Sequence, residues 1–163
     1  MSFLTQELPV SVEVAGIFYK IKPEFKNILR ILEMLKDPLL NEQDKGELIL
    51  LMFYAQEVPQ DKCFIDAFFE FINQDKEKAD TKGAPVLSYE QDAKEIFTAF
   101  YRVYGIDILN TGLHWYKFSN MVQDLGESPN LSVKIEIRGT NIADVPKEKK
   151  AKFLQVQNKL KVR

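Results

Sequence analysis

Hydrophobic residues follow two periods along this chain, and each change of period marks a new element. Residues 12–21, VEVAGIFYKI, alternate around Ala15-Gly16, which predicts a small β-hairpin. A hairpin of this size is marginally stable alone, so we expect it to pack on helices. Pro23 suits the first position of a helix that ends before Asp37-Pro38. Its apolar residues recur at helical spacing, at Phe25, Ile28, Leu29, Leu32 and Leu35.

Two more helices are predicted before a polar stretch. Asn41 is a suitable N-cap for a helix that runs to about Ala55. Pro59 opens the next one, whose apolar residues repeat at i, i+4, i+7 and i+8. They are Phe64, Phe68, Phe71 and Ile72. Residues 73–87 carry many charges and no apolar periodicity, so we expect a flexible internal loop.

The second half of the chain also follows the helical period. Ser88 and Gln91 have the spacing of a capping box, and Gly105 lies where a left-handed C-cap would end that helix. Another helix begins near His114, with a stripe formed by Trp115, Phe118, Val122 and Leu125. Residues 129–145 alternate like a strand in LSVKIEI, yet a helical neighbourhood favours a helix there.

A basic helix is predicted at the end, over residues 146–163, with a narrow apolar seam. The fold class that follows is mainly α. We predict one compact helical domain over residues 1–163, with about five to six helices and the small N-terminal hairpin.

Composition places the chain among soluble globular proteins, because 45% of its 163 residues are hydrophobic and 28% are charged. No apolar run is long enough to cross a bilayer, and the N-terminus lacks the pattern of an export signal. Cys63 cannot form an internal disulfide, and with a single His it leaves no conventional zinc site. We therefore expect a reducing, cytoplasmic setting, no membrane partner, no metal and no cofactor.

Charge is divided unevenly along the chain. Residues 146–163 hold seven Lys or Arg and one Glu, a charge of +6, so the preceding 145 residues carry −8. A basic segment on an acidic body is compatible with nucleic acid, an acidic partner or a solvated helix. The solvated helix is favoured, since the segment has no aromatic or glycine pattern for base stacking. The lysines a nucleic acid would need are Lys147, Lys149, Lys150, Lys152, Lys159 and Lys161.

Candidate catalytic residues are few. His114 could act as a general base, but catalysis also needs a nucleophile and an orienting carboxylate, and only Asp107 lies nearby in sequence. Cys63, beside Lys62, has two interpretations: a thiol activated at a helix N-terminus, or a buried or half-buried structural thiol, which is favoured. Phosphate-binding and calcium-binding loop motifs are absent from the sequence. We therefore expect a protein without enzymatic activity and with no catalytic residue.

The order of these features resembles a family of bacteriophage proteins, phage gp-fifteen, found in tailed phages and prophages of Gram-positive hosts. The resemblance rests on YEQDAKEIFTAFYRVYGID at 89–107 and LHWYKF at 113–118, which are similar to the family's YGID-like helix stop and LHWW-F core. YKIKPEFKNILRILEML at 19–35 and KIEIR at 134–138 are similar to further family positions. Tyr116 stands where a second Trp is commoner. By this resemblance His114-Trp115 is a family signature with no catalytic role.

The resemblance implies a function in tail assembly. Such proteins are similar in gene placement to tail assembly chaperones, which bind the tape measure protein and keep it soluble until the tail tube encloses it. The expected partner is therefore the phage tape measure protein, with the major tail protein and self-association as further candidates and nucleic acid not favoured. The expected contacts are the exposed members of a set of aromatic residues: Phe64, Phe68, Phe97, Tyr101, Trp115 and Phe118. The alternatives are a structural tail or connector component and a small nucleic-acid-binding regulator.

Overall fold

The computed structural model describes residues 7–73, 87–125 and 129–162. Backbone contacts group into two compact units, one within Met1–Glu77 and Gly112–Ser119 and the other within Lys78–Thr111 and Asn120–Arg163. The described residues form helices and one small antiparallel hairpin, so the predicted mainly α fold is confirmed. Residues 74–86 of the predicted loop lie outside the described residues. One domain over the whole chain stays a prediction.

The described residues contain two strands and seven α-helices. The strands are β1 (Ser11–Val14) and β2 (Ile17–Lys20), and the helices are α1 (Phe25–Leu35), α2 (Glu42–Phe53), α3 (Lys62–Asn73), α4 (Ala93–Tyr104), α5 (Trp115–Asp124), α6 (Pro129–Gly139) and α7 (Lys147–Leu160). Residues 129–145, whose alternating pattern allowed a strand or a helix, contain α6. The helix that was favoured there is confirmed. The predicted terminal helix is α7.

The hairpin turns at Ala15-Gly16, as predicted. Both residues have positive φ, 51° and 81°, which matches the twist of a two-residue hairpin turn. Val14 pairs with Ile17 across the turn. The strands pack on α3, which gives the hairpin the support that a two-stranded sheet requires.

Aromatic rings dominate the core of the first unit. Phe53 and Phe68 are fully buried, and their rings meet edge to face with centroids 5.1 Å apart. Tyr54 is also buried, and its hydroxyl donates to the carbonyl of Phe64 at 2.8 Å. Its polar end is therefore satisfied, so the ring adds apolar burial without an unpaired hydroxyl.

Two helix starts in the first unit differ from the predicted ones. α1 begins at Phe25, because Pro23 and Glu24 are held extended against the segment before α5. The carbonyl of Pro23 accepts from the Trp115 amide at 2.7 Å, and Glu24 bridges to His114. α3 begins at Lys62, after Pro59, because the Asp61 carboxylate caps it by accepting from the Cys63 amide at 3.0 Å.

In the second unit, the helix start predicted at Ser88 is wrong: residues 89–92 form a turn that Ser88 and Asp92 close, and α4 begins only at Ala93. The Ser88 hydroxyl accepts from the Gln91 amide at 3.2 Å, but the side chain that returns to the Ser88 amide is Asp92, at 3.0 Å. The helix ends at Gly105, whose φ of 66° confirms the predicted left-handed cap. α6 packs against both α4 and α7.

Candidate functional site

Burial removes four of the six predicted contact residues from the surface. Each of these four is at most 5% exposed: Phe64, Phe68, Trp115 and Phe118. They belong to the core, because the apolar stripe that reveals an amphipathic helix in a sequence is also the stripe that neighbouring elements cover. The expectation that they contact a partner at the surface is therefore wrong for these four. Tyr101 is 64% exposed and Phe97 is partly exposed, so these two remain.

Phe97 and Tyr101 lie one helical turn apart on α4, so helix geometry places them side by side. Lys94 and Arg102 are exposed on the same helix near this pair. An exposed aromatic stripe of this kind can pack on an apolar helix face of a partner. We call Phe97 and Tyr101 the α4 aromatic pair.

Other apolar side chains are exposed that the sequence analysis did not select. Phe18 is 69% exposed, because the hairpin register places it opposite Glu13 on the outward face. The alternation of side chains along the strands could have identified it, because alternation places Phe18 on the face opposite to Val14 and Tyr19. Leu51 on α2 is 71% exposed.

A cleft of about 490 Å³ lies beside the end of α2 in the first unit. Leu51, Tyr54 and Val58 supply its apolar lining, and Lys22 and Glu47 supply charges. The Lys22 ammonium donates to the Leu51 carbonyl at 3.0 Å, which ties the residues after β2 to this helix. The mixed lining suits a peptide better than a catalytic reaction, because it brings together no nucleophile and base.

His114 and Trp115 act structurally. The His114 ring lies with Nε2 2.9 Å from the Pro9 carbonyl, and its Nδ1 accepts from the Tyr116 amide at 3.0 Å. A carbonyl can only accept, so Nε2 carries the proton and the neutral ring caps α5. The Trp115 indole donates to the Ile72 carbonyl at 3.2 Å. Both imidazole nitrogens are thus committed to backbone groups, which opposes the general-base interpretation.

The pKa of His114 agrees with this role. Burial lowers the pKa of the imidazole, the Pro9 carbonyl opposes that effect, and the charge of Lys117 lowers it further. The net pKa lies below the ordinary value of 6.5. The ring is therefore neutral near pH 7, as its acceptor role at Nδ1 requires.

A buried charge cluster joins the helices of the second unit. Asp92 is 0% exposed, and both its oxygens accept from the Arg138 guanidinium, one of them at 3.1 Å from Nη2. Lys134 adds an ion pair at 3.3 Å to Asp92 and another to Glu95. Burial alone would raise the pKa of Asp92, but hydrogen bonds from Arg138, the Ser88 amide and Lys134 outweigh it and lower that pKa.

Cys63 differs from both interpretations of its sequence position. It is exposed, so the favoured buried or half-buried thiol is wrong. Its pKa is raised, first by desolvation and then by the neighbouring Asp61 carboxylate, which contradicts an activated thiolate. The carboxylate that caps α3 therefore also keeps this thiol protonated.

Within 7–73, 87–125 and 129–162, no group of three or more His, Cys, Asp or Glu side chains is arranged to hold a metal ion. Among the described helices, none combines the length and apolar character that crossing a membrane requires.

Comparison with known proteins places the chain in a family. The family model described as Bacteriophage Gp15 protein matches residues 4–162, nearly the whole length. The chain belongs to the bacteriophage Gp15 family. No curated protein and no solved structure matches it. The resemblance noted in the sequence is thus confirmed, and membership in the Gp15 family indicates a phage protein of structural or morphogenetic role.

Proposed function

We propose that this Gp15 family protein is a non-enzymatic chaperone or scaffold of phage tail assembly that binds the tape measure protein in the host cytoplasm. The family match supports a morphogenetic role. The observation that carries the binding role is the α4 aromatic pair, whose Tyr101 remains 64% exposed on a helix whose other side buries Ala99 and Phe100. Exposed aromatic side chains of this kind are enriched where proteins bind partners.

The physical basis is coverage of amphipathic helices. A long tape measure protein exposes apolar helical stripes until the tail tube surrounds it, and such stripes aggregate when left open. A small helical protein can cover a stripe by the helix-in-groove mode. Modest affinity for each copy is sufficient, because a weakly held copy can rebind until the tail tube arrives and then dissociates quickly. The major tail protein and a second copy of this chain remain further candidate partners.

The test is co-expression with the tape measure protein from the same genome. We expect the tape measure to become soluble and to co-purify with the wild-type chain. Tyr101→Ser should abolish co-purification without unfolding, because its side chain is mostly in solvent. Phe18→Ser is the matched control, since Phe18 is another exposed aromatic, at 69%, on a different element.

Each outcome is informative. If Tyr101→Ser alone loses binding, the α4 aromatic pair is the contact. If Phe18→Ser alone loses it, the contact lies on the hairpin. An insoluble, unbound tape measure with the wild-type chain would overturn the proposal.

A structural component of the tail or connector is the second candidate, because family membership also covers that role. Mass spectrometry of purified virions separates the two functions. A chaperone should be missing from finished particles, whereas a structural component should be present in fixed copy number.

Nucleic-acid binding is a third candidate, favoured only by the exposed lysines of α7 such as Lys152 and Lys159. DNA retention that falls steeply with salt would support it, because each phosphate contact releases counterions.

A further inference from the structure

The terminal helix α7 is held on its unit without a single buried side chain. All fourteen of its residues, Lys147–Leu160, are exposed or only partly covered. Its main neighbours are α6 and the short 3-10 helix Ile142–Asp144. Leu154 and Val156 are 40% and 38% exposed, so the helix carries more apolar surface than its neighbours cover.

One face of α7 makes the contact with α6. The partly covered side chains are Lys150, Phe153, Gln157 and Leu160, at spacings of three, four and three, which form one stripe on a helix. The Gln157 amide donates to the carbonyls of Ile137 and Thr140, each at 2.9 Å. This places the stripe against the C-terminal end of α6.

The hydrogen bonds from α7 go to backbone carbonyls at the C-terminal end of α6. The last carbonyls of an α-helix have no partner within it, and Gln157 supplies donors to this end of α6. In the same last turn of α7, the Leu160 carbonyl accepts from Arg138 Nε, while Arg138 also binds the buried Asp92. The end of α6 is therefore a preformed binding surface for a helix, and Asp92 holds the Arg138 side chain in place there.

We propose that α7 is an intramolecular substitute for a partner helix, and that an amphipathic basic helix of the tape measure protein displaces it from α6. This inference rests on the proposed function and specifies the chemistry of the partner. The displacing helix should carry an aromatic or large apolar residue, an amide side chain four positions later and Leu three positions after that. A basic helix also suits the charge of the second unit, because residues 78–111 and 120–145 hold six Lys or Arg and nine Asp or Glu, a charge of −3.

Departure of α7 breaks few contacts. Without a buried side chain, α7 gives up little apolar contact when it leaves, and water can replace the donors of Gln157. Arg138 holds Asp92 through Nη1 and Nη2 and the Leu160 carbonyl through Nε, so loss of that carbonyl breaks neither contact with Asp92. The binding surface should therefore persist after α7 has left.

The experiment uses the full-length chain and a fluorescein-labelled peptide of residues 146–162, with binding followed by anisotropy. The wild-type chain should bind the peptide weakly, because its own α7 occupies α6. Gln157→Ala should bind it about tenfold more tightly, since an apparent dissociation constant falls as the fraction of open protein rises. Gln155→Ala is the matched control: Gln155 is exposed on the opposite face of the same helix, so its affinity should equal the wild-type value.

A second pair of variants guards against simple loss of structure. Phe153→Ala, on the contact stripe, should also increase peptide affinity, whereas Leu154→Ala, beside the stripe, should leave it nearly unchanged. Amide hydrogen exchange on the wild-type chain should show α7 opening faster than α4. A peptide in which Phe153 and Gln157 are both Ala should bind at least about tenfold more weakly than the native peptide.

Three results would overturn the inference: equal affinity for the Gln157→Ala and Gln155→Ala chains, equal binding of the substituted peptide, or α7 amides as protected as those of α4. Equal binding of the substituted peptide would mean that its lysines are attracted to acidic residues of the chain without recognition of the helix.

The proposed function is tested separately. If the peptide behaves as expected but the tape measure stays unbound, the binding surface stands and the tail-assembly role fails. If the tape measure binds and Gln157→Ala gains nothing, only this inference fails.

Discussion

Replacing Asp92 by Asn tests whether the buried charge cluster holds the second unit together. Asn keeps the shape of the side chain and removes its charge. The Arg138 guanidinium, on a side chain only 5% exposed, then loses its buried counterion. Both oxygens of Asp92 accept from N–H donors, so the NH2 group of Asn must face one of them, and the cost includes lost hydrogen bonds as well as the lost charge.

The structure sets the expected magnitude. Removing one partner of a buried ion pair costs about 3–5 kcal/mol, because the remaining charge stays desolvated without compensation. For a chain of this size that corresponds to a fall in Tm of roughly 10 °C. The matched control is Asp66→Asn. Asp66 pairs with Lys62 at 3.9 Å, but the two side chains are 54% and 86% exposed, so its loss should cost less than about 0.5 kcal/mol.

Urea unfolding followed by circular dichroism at 222 nm measures both variants against the wild-type chain. A double-mutant cycle with Arg138→Met isolates the pairwise interaction, and we expect a coupling energy of roughly 1–3 kcal/mol. The pH dependence supplies a further check. Because the pKa of Asp92 is lowered in the folded state, its stabilisation is complete above the unfolded value of about 3.9 and is lost as the pH falls through the folded pKa.

Equal costs for Asp92→Asn and Asp66→Asn would refute the reasoning. So would a coupling energy near zero, since the two groups would then contribute independently. A difference between wild type and Asp92→Asn that stays constant down to the lowest pH would contradict the pKa assignment.

Three other predictions concern single sites. The wild-type chain should lose stability as the pH falls from 6.5 through the lowered pKa of His114, because the ring protonates first in the unfolded chain. His114→Asn keeps an acceptor that can cap α5 but cannot titrate. Urea titrations at pH 8 and pH 5.5 should therefore show a smaller loss of stability for this variant than for the wild-type chain. Tyr54→Phe should lower the free energy of unfolding by about 1 kcal/mol, because it removes the hydrogen bond to the Phe64 carbonyl. Burial first, and then Cys63 and Tyr19, raises the pKa of Tyr54 to about 12. An ultraviolet titration of the variant should therefore lack one tyrosine ionisation near pH 12. Gly105→Ala should lower stability by about 1 kcal/mol, because a side chain is strained at its φ of 66°, although no atom lies near the added Cβ. Gly112 does not have a positive φ, so Gly112→Ala is the control and should be nearly neutral. Thermal melting measures both variants.

The sequence alone determined the elements whose causes are local. The hairpin turn at Ala15-Gly16, the Asn41 cap of α2 and the Gly105 cap of α4 were predicted and are present. Each depends on the conformational freedom or hydrogen-bonding capacity of one or two residues. The helical stripes were predicted for the same reason, since periodicity records which side of a helix is covered.

Tertiary structure decided everything that depends on distant partners. Pro23 failed as a helix start because its carbonyl accepts from the amide of Trp115, about ninety residues away. Ser88 failed as a helix cap because the Asp92 carboxylate accepts from its amide and also binds the distant Arg138. Periodicity shows that a stripe is covered but not whether a neighbour in the same chain or another protein covers it. For that reason the sequence could not separate the buried Phe118 from the exposed Tyr101, and packing alone made one of them core and the other surface.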